Sequence, residues 1–187
     1  YFVANYFETF TKDVPPLVEN GYVTFGCMMN SYKINPAIAR VWTEIIKRVP
    51  DSRLILNYPS YKEGNSQKNI QNMFAQYDFP MDRLSIISDR HSSGSHVMYY
   101  QDFDIALDTF PQTGGTTTLE TLLMGVPVIS LVGHVLMERI SYSFIQNCGV
   151  SNPDLMCSFT EEEYIEKAVM LATDPEKLKM LRLELAS

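Results

Sequence analysis

The sequence has little positive charge. Of its 187 residues, 15 are Lys or Arg and 22 are Asp or Glu, which gives a formal net charge of −7. Because binding to a nucleic-acid backbone requires a positive surface, this balance argues against a nucleic-acid partner. A small anionic ligand is still compatible with it, since a few N–H donors and one lysine can bind phosphate on an acidic protein.

Cysteine is scarce, and long apolar runs are absent. Cys27, Cys148 and Cys157 form no CxxC or zinc-like cluster, so we interpret them as reduced core thiols and expect a cytoplasmic location. No apolar stretch approaches the roughly 18 residues that span a bilayer, and we expect no membrane partner. The chain has no signal-peptide pattern and does not begin with Met. We therefore expect it to be a piece of a longer protein.

Two common nucleotide-binding motifs are also missing. The sequence contains neither GxxxxGK[ST] nor GxGxxG, which excludes the P-loop and the dinucleotide fingerprint. Asp102 and Asp104 have the DxD spacing found in some sites for a metal and a diphosphate. Phe103 suits a core position and Asp104 precedes an apolar run, so we interpret this segment as the start of a strand. We expect neither a metal nor a cofactor.

Short apolar runs alternate with helical patterns from residue 22 onward. Strands are predicted at residues 22–27, 52–57, 83–88, 105–107 and 126–131. Helices are predicted at residues 36–49, 65–77, 96–100, 116–124, 137–147, 160–173 and 175–186. Such alternation predicts an α/β fold, with a mostly parallel sheet and helices on both faces. We assign residues 1–20 to a lead-in segment and residues 21–187 to one domain.

The residues after the fourth strand have the pattern of a phosphate site. A buried strand leads into Gly114 and Gly115, then into Thr116, Thr117 and Thr118 at the start of a helix. The glycines allow the backbone to approach a ligand closely. We expect the threonine hydroxyls and the first helical N–H groups to point the same way and, with the helix dipole, to bind an anion. The alternative for this segment is a glycine-containing loop with a threonine N-cap.

Three more loops follow predicted strands. Asn30 and Lys33 follow the first strand, His96 follows the third and His134 follows the fifth. Lys33 could neutralise charge on a departing diphosphate, and His96 could donate to a phosphate or ribose oxygen. Taken singly, each has an ordinary alternative, such as a solvated lysine or a histidine that caps a helix. Because parallel strands end at one edge, the four loops are expected to converge there.

Three long segments resemble the C-terminal catalytic lobe of the O-linked N-acetylglucosamine transferase family, which includes the SPINDLY-type protein O-fucosyltransferases. They are NGYVTFGCMMNSYKINP (residues 20–36), VWTEIIKRVPDSRLIL (41–56) and DIALDTFPQTGGTTTLETLLMGVPVISL (104–131). The resemblance extends from about residue 15 to the C-terminus. It implies a GT-B fold, in which two Rossmann-like lobes enclose the active site. This chain would be the lobe that binds the nucleotide sugar.

The resemblance also implies roles for individual residues. Lys33 would contact the diphosphate and aid departure of the leaving group, with Asn30 beside it. His96 would pack on the nucleotide, Thr116 and Thr117 would contact phosphate, and Glu120 would hold the ribose hydroxyls. Two departures leave the base open between uracil and guanine. Gly115 stands where the animal enzymes have histidine, and residues 92–94 (SSG) offer no clear counterpart of their uracil-recognising lysine.

The implied function is inverting, metal-independent transfer of a GlcNAc-like sugar from a nucleoside diphosphate to a Ser or Thr hydroxyl of a protein. The donor is expected to be a UDP-sugar, with a GDP-sugar as the alternative. The protein acceptor would be bound through N-terminal regions outside this chain, including tetratricopeptide repeats, so the isolated lobe is expected to be inactive. Two alternatives stay open: a non-catalytic nucleotide-sugar-binding module, and a glycosyltransferase that acts on glycans or small molecules.

Overall fold

The computed structural model describes residues 15–88 and 96–187. Within these ranges six strands form one sheet in the order β3-β2-β1-β4-β5-β6, and all neighbouring strands are parallel. The strands are β1 (Thr24–Cys27), β2 (Arg53–Asn57), β3 (Leu84–Ile87), β4 (Ile105–Leu107), β5 (Val128–Leu131) and β6 (Cys157–Ser158). The predicted parallel sheet is therefore confirmed, and all five predicted strands are present.

Helices cover both faces of the sheet, as predicted. In the described part of the chain, the α-helices are α1 (Pro16–Asn20), α2 (Pro36–Arg48), α3 (Ser66–Ala75), α4 (Thr116–Leu123), α5 (Ile140–Gln146), α6 (Glu161–Thr173) and α7 (Pro175–Leu185). Helix α2 packs against α3 and α6, while α4 packs against α5. Because crossovers between parallel strands are right-handed in almost all proteins, and the strand order runs in opposite directions from β1 and from β4, these two groups lie on opposite faces. Helix α1 lies within the predicted lead-in, whose residues 1–14 are outside the described ranges.

Helix α2 shows how the local sequence builds the core next to the site. Asn35 caps the helix by accepting a hydrogen bond from Ile38 N at 3.1 Å, and Pro36 occupies its first turn. The apolar stripe of α2 is buried, including Trp42, whose Nε1 donates to the Tyr164 hydroxyl of α6 at 3.2 Å. That hydroxyl in turn donates to the carbonyl oxygen of Asp108 at 2.9 Å. The core thus supports the carboxyl end of β4 directly.

The strand order reverses between β1 and β4. From β1 the chain builds outward to β2 and β3, then returns to the other side of β1 and builds outward through β4, β5 and β6. In open α/β sheets, ligands bind in the crevice beyond the carboxyl ends of the two strands where the order reverses. The loop that carries Lys33 follows β1, and the loop that carries Gly114 and Gly115 follows β4. Topology alone therefore brings these two loops to the same crevice.

The structure differs from the predicted elements at two places, one helix that is interrupted and one strand that was not predicted. The helix predicted at residues 137–147 is interrupted: Leu136–Glu138 form a 3-10 turn, and α5 begins only at Ile140. The turn persists because Glu138 Oε2 accepts hydrogen bonds from the backbone N–H groups of His134 and Val135, at 2.6 and 3.2 Å. Strand β6 was not predicted, because Cys157 and Ser158 have no apolar pattern of their own and join the sheet by pairing with β5.

The segment with DxD spacing has a structural role. Asp104 is fully buried at the start of β4, and its two carboxylate oxygens accept hydrogen bonds from Leu17 N at 2.9 Å and Thr24 N at 2.8 Å. Phe103 is part of the core, and its carbonyl oxygen accepts a hydrogen bond from Arg182 at 3.1 Å. The carboxylate therefore joins α1 to the sheet, consistent with our interpretation of this segment as a strand start.

The three cysteines are buried or half-buried free thiols, as the sequence predicts. Cys27 and Cys157 are buried, Cys148 is half-buried, and all three are free thiols. Burial raises the pKa of Cys157 to about 11, so its thiol stays protonated at neutral pH.

Among residues 15–88 and 96–187, no helix is long and apolar enough to cross a membrane.

Candidate nucleotide-sugar site

Hydrogen bonds join the loops after β1 and β4: Asn35 Nδ2 donates to the carbonyl oxygen of Phe110 at 2.7 Å, and Lys33 makes a second bond. Lys33 Nζ donates to the carbonyl oxygen of Thr113 at 2.9 Å, across 80 positions of sequence. Thr113 immediately precedes the glycine pair, so the ammonium group lies at the entrance to the segment predicted to bind phosphate. The two parts of the site that sequence reasoning proposed separately are therefore adjacent in space.

The environment of Lys33 favours an anionic partner. The side chain is half-buried, and this burial lowers the pKa of its ammonium group, while the nearby carboxylate of Asp108 raises it. A half-buried ammonium that donates to one neutral carbonyl has hydrogen-bonding capacity left over, because it carries three N–H donors. A diphosphate beside it would add negative charge and stabilise the charged form.

The glycine loop is held by buried hydrogen bonds at Gly114. Its N–H donates to Asp108 Oδ1 at 2.8 Å, and its carbonyl oxygen accepts from Ser141 Oγ at 3.2 Å. A Cβ atom at this position would lie 2.1 Å from Thr118 Oγ1 and 2.3 Å from the terminal methyl group of Met29. Only glycine fits here, and its two backbone polar groups are both used within the protein.

Helix α4 begins beside this loop with the features of an anion site. Gly115 is its N-cap and provides no side-chain cap. The N–H groups of the first helical turn, those of Thr116, Thr117 and Thr118, have no acceptor within the helix. A Cβ atom at Gly115 would have no neighbouring atom within 4 Å, so the helix start faces open space. The helix dipole adds partial positive charge at this end.

The three threonines do not share one direction, so that expectation was wrong. The side chain of Thr116 is exposed, whereas Thr117 Oγ1 contacts Met29 Sδ at 3.2 Å. Thr118 is buried, and its Oγ1 is hydrogen-bonded to Ser141 Oγ at 2.8 Å. Successive helical residues are rotated by about 100°, so three in a row cannot face the same ligand. Thr116 and Thr117 are at the open end, and Thr118 secures the helix to α5.

Glu120 lies one turn into α4 and is almost fully buried. Its Oε2 accepts a hydrogen bond from the Tyr100 hydroxyl at 2.9 Å. Burial, and then the nearby Glu120 carboxylate, raise the pKa of Tyr100 far above its usual value, so the phenol remains a donor. This bond fixes the position of the Glu120 carboxylate, the group that the family resemblance assigns to the ribose hydroxyls.

The remaining predicted residues are placed as follows. Asn30 is the N-cap of the 3-10 turn Ser31–Lys33, and its Oδ1 accepts from Tyr32 N at 3.4 Å. It therefore shapes the loop that carries Lys33. His96 begins the 3-10 helix His96–Asp102, and its side chain lies outside what the structure describes, as do residues 89–95. Their contacts with a donor stay predictions.

His134 follows β5 at the same edge of the sheet, where it lines a cavity. The cavity has a volume of about 390 Å³ and lies beyond the ends of β4, β5 and β6. Its lining includes Phe110, Phe159 and Glu161 as well as His134, but none of Lys33, Thr116 or Glu120. The loops after β1, β4 and β5 therefore converge as predicted, because Asn35 and Phe110 also line this cavity and Thr113 N donates to the carbonyl oxygen of Met137 at 3.0 Å. The loop after β3 lies outside the described residues.

The chain is similar in sequence to a known family of transferases. Residues 15–187 match the profile of glycosyl transferase family 41. The chain is 34% identical over 170 residues to a Solanum lycopersicum protein named "Probable UDP-N-acetylglucosamine–peptide N-acetylglucosaminyltransferase SPINDLY". That match covers 91% of this chain and 18% of the relative. An Arabidopsis thaliana relative with the same enzyme name and the designation SEC is 33% identical over 162 residues, covering 86% of this chain and 16% of the relative.

Solved structures show the same fold. A mutant of the Thermobaculum terrenum O-GlcNAc transferase superposes with a TM-score of 0.80 and 30% identity, covering 89% of this chain and 31% of that protein. The C-terminal domain of a group 1 glycosyl transferase from Francisella tularensis superposes with a TM-score of 0.67, covering 95% of this chain and 92% of that domain. At 12% identity, the second likeness shows the fold alone.

Proposed function

Because the chain belongs to glycosyl transferase family 41, we propose that it is the donor-binding lobe of an inverting, metal-independent transferase. The reaction moves a GlcNAc-like sugar from a nucleoside diphosphate to a Ser or Thr hydroxyl of a protein. The observation that carries this proposal is the bond from Lys33 Nζ to Thr113 O, which joins a cationic side chain to the loop before α4. The chain spans 18% of the length of the tomato relative. We therefore propose that acceptor binding and the transfer step also need regions outside this chain.

Two groups would hold the donor's diphosphate. The N–H groups at the start of α4 bind its oxygens, and Lys33 moves from the Thr113 carbonyl to the phosphate nearer the sugar. As the glycosidic bond breaks, negative charge grows on the departing diphosphate. The ammonium group and the helix N-terminus stabilise that growing charge more strongly than they stabilise the ground state, which lowers the barrier. In this scheme they supply the positive charge that a bound metal supplies in other transferases.

The acceptor side of the proposal rests on the relatives. The plant relatives are named as transferases that act on peptides, which supports a protein acceptor over a glycan or a small molecule. We propose that the acceptor is bound mainly by regions outside this chain, with tetratricopeptide repeats among them. A reducing, cytoplasmic setting agrees with the three free thiols.

The proposal predicts selective stabilisation by nucleoside diphosphates. UDP, UDP-GlcNAc, GDP and GDP-fucose are compared in a thermal-shift assay with this chain. Near saturation, at about 100 times Kd, the preferred ligand should raise Tm by about 5–10 °C. The UDP and GDP series rank the base, and each sugar nucleotide against its free diphosphate ranks the sugar. No shift with any of the four ligands at millimolar concentration would contradict the proposal.

A further inference from the structure

The carboxylate of Asp108 is fully buried immediately after β4, beneath the glycine loop. Its two oxygens accept short hydrogen bonds, from Gly114 N at 2.8 Å and from Ser130 Oγ at 2.7 Å. Burying an ionised carboxylate is unfavourable unless it is well hydrogen-bonded. Because Ser130 lies within β5, one oxygen anchors Asp108 to the sheet, and the other reaches up to the loop.

A second hydrogen bond holds the glycine loop from its other side. Ser141 Oγ donates to the Gly114 carbonyl oxygen at 3.2 Å, and it is also hydrogen-bonded to Thr118 Oγ1 at 2.8 Å. Gly114 is therefore fixed between Asp108 on one side and α5 on the other. The peptide groups that follow Gly114 lead directly into the first turn of α4, so their N–H directions depend on how Gly114 is held.

We propose that Asp108 is a positioning residue that holds the glycine loop in the conformation that binds the donor's diphosphate. It acts through Gly114 and does not touch the donor. This inference rests on the proposed donor site at the start of α4. A preorganised loop binds more tightly because the ordering entropy is not lost at the moment of binding. The positioning depends on Oδ1, because this oxygen accepts the hydrogen bond from Gly114 N.

The test compares UDP affinity in three variants by titration calorimetry, with folding checked by circular dichroism. Asp108→Ala removes the acceptor and should weaken UDP binding by at least about 10-fold, the equivalent of one lost hydrogen bond. Asp108→Asn keeps an amide oxygen for Gly114 N and should stay within about 3-fold of wild type. The matched control is Ser130→Ala, which removes only the bond to the other oxygen and should also stay within about 3-fold.

Two results would overturn the inference. One is a folded Asp108→Ala variant that binds UDP as tightly as wild type. The other is a folded Asp108→Asn variant that binds as weakly as Asp108→Ala. If Asp108→Ala does not fold, Asp108→Ser replaces it, because the serine hydroxyl fills more of the buried space than a hydrogen atom does but ends one bond short of both Gly114 and Ser130. Absence of UDP binding by the wild type would instead reject the donor site itself.

Discussion

Gly114→Ala is expected to lower Tm by about 3–10 °C and to weaken UDP binding by about 100-fold or more, the largest binding defect of any single change in this chain. The added methyl group would lie 2.1 Å from Thr118 Oγ1 and 2.3 Å from the end of Met29. The Met29 side chain can move, but Thr118 is held by Ser141. The loop must therefore shift, and the N–H groups of α4 shift with it. Differential scanning calorimetry and UDP titration measure the two effects.

Gly115→Ala is the matched control for stability. The same methyl group, one residue later, has no neighbouring atom within 4 Å, so Tm should change by less than about 2 °C. Because that open space is where the proposed diphosphate lies, UDP binding is expected to weaken while the fold is unaffected. Equal losses of Tm for the two variants would show that the packing around Gly114 has no special role.

Lys33→Met is expected to weaken UDP binding by about 10–100-fold, because one charge-assisted hydrogen bond to phosphate is lost. Binding of uridine, which has no phosphate, should not change. In the transferase that contains this lobe, turnover should fall further, by about 10²–10³-fold, because the charge on the leaving group is greatest in the transition state. Calorimetry with UDP and uridine, followed by a transfer assay, separates binding from catalysis.

Lys47→Met controls for the change in net charge. Lys47 Nζ also donates to a backbone carbonyl oxygen at 2.9 Å, that of Tyr77, but it is exposed near the end of α2. Its substitution should leave UDP affinity within about 2-fold of wild type. If Lys47→Met and Lys33→Met weaken UDP binding equally, the effect is one of overall charge, and the assignment of Lys33 to the diphosphate is wrong.

Most of the fold was predictable, because its strands are short apolar runs and its helices have clear stripes and caps. Asn35 and Pro36, for example, mark the start of α2 in the sequence as they do in the structure. Strand β6 was not predictable in this way. Its two residues pair with β5 through backbone hydrogen bonds and through Ser158 Oγ, which donates to the carbonyl oxygen of Ser130 at 2.8 Å. This pairing depends on where the chain returns to the sheet.

The site was predictable as far as topology determines it. The rule that parallel strands end at one edge predicted that Lys33 and the glycine loop would meet, and they do. Asp108 was missed because an aspartate after a strand resembles an ordinary turn residue. Its carboxylate accepts a hydrogen bond from Ser130, which is 22 positions further along the chain, and the hydrogen bond from Ser141 to Gly114 spans 27 positions. Neither partnership leaves a local pattern in the sequence.

We propose that the donor's phosphates lie on the start of α4 beside Lys33. Amide chemical-shift mapping by NMR, with UDP titrated into this chain, tests this placement most directly. The largest shifts are expected at Gly115, Thr116 and Thr117, with further shifts at Lys33. Shifts concentrated instead around His134 and Phe159, at the cavity beyond β5 and β6, would contradict it.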